Sequence, residues 1–88
     1  MIREQIQIFT HYGYEHQLHK LVEEMRELEQ VIINDPNNVQ HIQEEMADVL
    51  NLIDQFHYCC AGWCGKIYRI KDFKVQRQIE RIKQEQEV

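Results

Sequence analysis

Apolar residues recur along this chain at intervals of three and four. Leu18, Leu21, Val22, Met25, Leu28 and Ile32 follow the i, i+3, i+4, i+7 template and predict a helix from about Tyr14 to Ile33. Ile42, Met46, Val49, Ile53 and Phe56 form a second stripe and predict a helix over roughly Val39 to Cys60. Between them, Asn34-Asp35-Pro36-Asn37-Asn38 is the clearest break, because proline cannot continue a helix. Asn34 or Asp35 can close the first helix, and Asp35 or Asn37 can cap the second. Residues 2–11 read as a shorter helix interrupted near Gly13. Ala61-Gly62-Trp63-Cys64-Gly65 reads as a further break, followed by a last helix over about Lys66 to Gln84. No segment alternates as a half-buried strand does. The expected fold is an all-α bundle of three to four helices in a single domain, 1–88, with the two long helices antiparallel.

The last helix carries two apolar sets, Tyr68, Val75, Ile79 and Ile82 on one side and Ile67, Ile70 and Phe73 on another. A helix apolar on two sides is expected between two surfaces. A domain of 88 residues has a thin core, so oligomerisation is expected to complete the bundle, as a homodimer or homotetramer.

Charge then narrows the choice of partner. The net charge of −5 disfavours a nucleic acid. Acidic residues crowd into 23–54, whereas seven of the ten Lys and Arg residues lie from Lys66 onward. No apolar run suits a membrane span and the first residues lack a signal-peptide profile, so a cytoplasmic protein is expected. Cys59, Cys60 and Cys64 lie too close together for a secreted disulfide framework and read as reduced thiols. His57, Cys60 and Cys64 lack the second ligand pair of a zinc site.

The informative feature is a matched pair of acidic motifs. Glu24 and Glu27 lie three apart, one turn of helix, and Glu45 and Asp48 repeat that spacing on the next helix. Antiparallel neighbours can aim four such carboxylates at one point. Glu45 shares a stripe with Val49, Leu52 and Phe56, and Glu24 shares one with Leu28 and Val31, so both lean toward the core. A carboxylate facing a core must be paired or coordinate a metal. Donor sets made only of oxygen suit Mg²⁺ or Mn²⁺.

At these residues the chain resembles the MazG-like all-α nucleotide pyrophosphohydrolases, which carry EExxE on one helix and ExxD on the next. The matches here are Glu23-Glu24-x-x-Glu27 and Glu45-x-x-Asp48. Tyr12-Gly13 with Gln17 and Leu21, and the segment Ile70 to Ile82, extend the likeness over nearly the whole chain. The resemblance implies an oligomeric, Mg²⁺-dependent hydrolase that converts a nucleoside triphosphate to its monophosphate and pyrophosphate. It implies Glu24, Glu27, Glu45 and Asp48 as metal ligands and Glu23 as a further catalytic carboxylate that orients or deprotonates water. Some members place a Lys and an Asn after the second motif, whereas no Asn follows Asn51 here.

Lys74, Arg77 and Arg81 form a basic stripe that reads either as a solvated face or as a phosphate contact. The family likeness favours phosphate for Lys74 and Arg77. Phe9, Tyr12, Tyr14, His16 and His19 suit core packing more than base stacking, and Gln17 and Trp63 are the further candidates for contacting the base. Two other readings stand beside the hydrolase of nucleoside triphosphates. One is a related enzyme acting on dUTP, dCTP or a phosphoribosyl nucleotide. The other is a non-catalytic helical oligomeric adaptor or nucleotide-binding subunit.

Overall fold

The computed structural model describes residues 1–87 and is all-α, with four helices in chain order. They are α1 (Ile2–Tyr12), α2 (Tyr14–Asn34), α3 (Val39–Cys59) and α4 (Trp63–Glu87). Gly13 alone separates α1 from α2. Its φ of 90° lies where side chains with a Cβ are disfavoured, and its N–H still donates to Phe9 O at 2.8 Å. The chain thereby leaves one helix and enters the next within a single residue.

The α2–α3 connection ends on a side-chain cap. Asn38 Oδ1 accepts from the His41 N–H at 3.1 Å, and Asn38 Nδ2 donates to Asp35 Oδ2 at 3.1 Å. The cap of α3 is therefore Asn38, not Asp35 or Asn37; Asp35 closes α2 and also braces the capping residue. Facing positions run in opposite directions, with Gln17 against Gln55 and Glu27 near Glu45, so α2 and α3 are antiparallel.

The second connection is shorter than the sequence suggests. Gly62 takes the left-handed turn at φ 80°, and α4 begins at Trp63, three residues before the expected start. Gly65 lies inside that helix with open space around it.

Among the described residues Leu52 and Phe56 are the buried apolar ones, each 4% exposed. Phe56 is the hub. Phe9 of α1 meets it edge-on at 5.2 Å and Tyr14 of α2 edge-on at 5.8 Å, while Trp63 of α4 stacks on it at 5.9 Å. All four helices thus meet at one ring.

Beyond this anchor α4 stands apart. Apart from Trp63, which also meets Tyr14 of α2 edge-on at 6.0 Å, among the described residues it packs on α3 through its first turns, with Tyr68 5.5 Å from His57. The two apolar sets expected between two surfaces are exposed in the single chain, Phe73 at 66% and Ile70 at 54%. The radius of gyration of 16.4 Å exceeds the roughly 12 Å of a compact domain of this length. The excess reflects a helix about 37 Å long anchored at one end.

Replacing Phe56 with Ala should cost about 3–5 kcal/mol, a large part of what so small a domain possesses. Urea unfolding followed by circular dichroism checks this. A loss below about 1 kcal/mol would show that the aromatic hub is not what holds the helices together.

Candidate metal centre

One helical turn separates Glu24 from Glu27 on α2, and the antiparallel α3 brings Glu45 opposite them. One carboxylate oxygen from each of the three lies within 4.8 Å of the others. Glu24 is buried at 9% exposure, Glu45 is half-buried and Glu27 is exposed, so the group opens to solvent from one side. Glu24 Oε2 and Glu45 Oε2 are both buried without a hydrogen-bond partner. Oxygens left this way in a native fold call for an explanation, and a hard divalent cation supplies one. The donor set, all oxygen with two orphaned atoms, fits Mg²⁺ or Mn²⁺.

Electrostatics agree with the geometry. The carboxyl of Glu24 is pushed above its ordinary value, first by burial, then by the neighbouring Glu27 and by the charge of Asp48, while Lys20 pulls the other way. Asp48 stands outside the tight group of three but lines the same depression as Glu24, and its charge reaches that residue. Glu23 is 57% exposed at its side chain and pairs with Lys20 at 3.4 Å. The Lys20 ammonium is correspondingly raised, by Glu23 first and Glu24 second.

Two depressions flank the cluster. One, of about 500 Å³, is bordered by Tyr12, His16, Gln17, Glu24, Asp48 and Gln55. The other, of about 600 Å³, is bordered by Arg26, Glu27, His41 and Glu45. Glu23 borders both. The carboxylates therefore stand between two hollows large enough for small ligands.

A row of amides runs beside the first hollow, which Gln17, Asn51 and Gln55 border. Gln17 Nε2 donates to Gln55 Oε1 at 2.7 Å, Gln55 Nε2 to Gln5 Oε1 at 3.0 Å, and Gln5 Nε2 to Asn51 Oδ1 at 3.0 Å. His16 Nδ1 closes the other end, 2.7 Å from Gln17 Oε1. Gln17 and Gln55 are 3% and 4% exposed, and the hydrogen bonds offset the cost of burying them. Tyr12 stacks on His16, with ring centres 4.7 Å apart.

The residues singled out from sequence thus divide. Glu24, Glu27 and Glu45 come together, with Asp48 and Glu23 beside them. Gln17 borders the hollow. Trp63 belongs to the aromatic hub, packed on Phe56 and Tyr14, and borders neither hollow. Phe9 and Tyr14 pack on the hub as well, whereas Tyr12, His16 and His19 line the hollow. Lys74 and Arg77 lie on α4, exposed and outside both hollows. Sequence reasoning missed Asn51 and Gln55, although Gln55 falls on the stripe of Glu45, Asp48 and Leu52. It also missed Lys20 and His41, each four residues before a carboxylate of the cluster. Burial pushes the Cys59 and Cys60 thiols up, away from the thiolate form.

Compared with known proteins, the chain matches no family model, no curated protein and no solved structure.

A raised carboxyl in the folded state means that the native protein holds the proton more tightly than the unfolded chain does. Stability without metal should therefore fall as pH rises from about 4.5 through the raised value of Glu24, then level off. Replacing Glu24 with Gln should remove this slope. Denaturant melts in chelator between pH 4 and 8 read it directly, and an identical slope in the variant would contradict the assignment.

Proposed function

We propose that the protein is a nucleotide pyrophosphohydrolase of the MazG-like kind, acting on a nucleoside triphosphate with Mg²⁺, or Mn²⁺ in its place. The single observation that carries this reading is the pair of buried, unpartnered oxygens on Glu24 and Glu45 within a group of three carboxylates. Held by Glu24, Glu27, Glu45 and Asp48, a divalent cation would neutralise phosphate charge and lower the pKa of an attacking water. The chain's own groups do the rest. Glu23, exposed at the border of both hollows, is the group to accept a proton from water. The water oxygen bonds to the α-phosphorus as the bridging bond to the β-phosphate breaks. The products are the monophosphate and pyrophosphate.

The stacked Tyr12–His16 pair and the amide row suit a planar base with polar edges, with Gln17 as a contact; Trp63, packed in the hub, has no part in it. Lys74 and Arg77 border neither hollow of their own chain, so we assign a phosphate role for them to the site of a second copy. The exposed apolar residues of α4 support such a homo-oligomer, a dimer or a tetramer. Among the described residues no helix is long and apolar enough to cross a membrane; a cytoplasmic location is part of the same proposal.

Purified protein with Mg²⁺, offered each ribo- and deoxyribonucleoside triphosphate, should release pyrophosphate. The double variant Glu24→Gln, Asp48→Asn should lose more than about 100-fold, since loss of mere supporting groups around a metal already costs 10–100-fold. A folded, metal-binding protein that releases none from any nucleotide would transfer the reading to a non-catalytic oligomeric adaptor or nucleotide-binding subunit.

A further inference from the structure

The two most buried carboxylates of the cluster are held in the same way. Lys20 stands four residues before Glu24 on α2, and His41 stands four residues before Glu45 on α3. Lys20 Nζ lies 3.4 Å from Glu24 Oε1, and His41 Nε2 lies 3.3 Å from Glu45 Oε1. In both, the contact falls on one oxygen and leaves Oε2 buried and unpartnered. In both, the nitrogen-bearing partner is about 40–45% exposed while the carboxylate is shielded. Antiparallel helices bring the two arrangements to one seam, each with a nitrogen one turn toward the N-terminus of its own helix.

A carboxylate turns about its last side-chain bond with little preference, so helix position alone does not decide which oxygen faces inward. A donor fixed to one oxygen does decide it. Groups outside a ligand set that hold ligands in place are commonly what pre-organises a metal site. Lys20 adds a second task, since its ammonium also lies 3.4 Å from Glu23 Oε1 and so spans two neighbouring carboxylates.

We propose that Lys20 and His41 are a matched pair of positioning residues, each tethering one oxygen of Glu24 or Glu45 so that the other serves a divalent cation as a single-oxygen ligand. The proposal rests on the reading of the cluster as a metal centre. It assigns no direct metal contact to either residue.

Mn²⁺ alone is the probe, with binding followed by the loss of the free-ion electron paramagnetic resonance signal and the site's symmetry by the spectrum of the bound ion. Lys20→Met and His41→Leu should each weaken binding about tenfold and alter the bound-ion spectrum. Lys20→Gln and His41→Gln keep a donor and should restore most of both. All four variants fall at two half-exposed side chains, and circular dichroism verifies that each stays helical. Loss of a positive charge by itself favours a bound cation, so equal or tighter binding in Lys20→Met would overturn the role of Lys20. An unchanged His41→Leu would overturn that of His41, as would equal loss in the Gln variants of either. If Glu24→Gln still abolishes binding in those cases, the metal centre stands and only the tethers fall. Wild-type protein that binds no Mn²⁺ would remove both.

Discussion

The seam between α2 and α3 is zoned by polarity, and the rest of the structure follows from that zoning. At one end Phe56 gathers a ring from every other helix. Next along the seam come the paired amides of Gln17 and Gln55, and beyond them the carboxylates of Glu24, Glu27 and Glu45. Apolar contact drives the helices together, whereas the carboxylates, left to themselves, would push them apart. The aromatic end thus holds closed a seam whose middle is electrostatically unfavourable without a counter-charge.

Among the described residues only two apolar side chains are buried, a slender core. Three of the five buried among the described residues are polar, so much of the inner space is given to groups whose value lies in geometry more than in transfer from water. The same economy explains α4. Its first turns are fixed by Trp63 on Phe56, and the remainder offers apolar side chains to whatever surface lies beside it. A chain that spends its interior on a polar site leaves part of its hydrophobic surface outside.

The helices were legible because a buried stripe must repeat with the turn of the helix, and the sequence does so over α2 and α3. The break before α4 was harder, because Gly62 and Gly65 look alike in sequence and only Gly62 takes the left-handed conformation. The three clustered carboxylates were legible from their matched spacing. Gln55 was not, since an amide on a mixed stripe reads as a solvated position until its partner across the seam is known. Lys20 and His41 hid for a similar reason. A Lys or His four residues from a glutamate is an ordinary surface neighbour, and only the burial of the second oxygen distinguishes these two. The exposure of α4 depends on what lies outside the chain, which periodicity does not encode.

The buried amide row also constrains how this sequence can drift. Gln17 and Gln55 lie 38 residues apart, yet each supplies what the other's burial requires. Changing one to an apolar residue strands its partner's polar group away from water, a worse outcome than changing both. Neutral divergence along this row therefore has to move in pairs, and Gln5, Asn51 and His16 lengthen the chain of mutual dependence. The helix surfaces can diversify one position at a time, while the polar seam changes only by coordinated replacement.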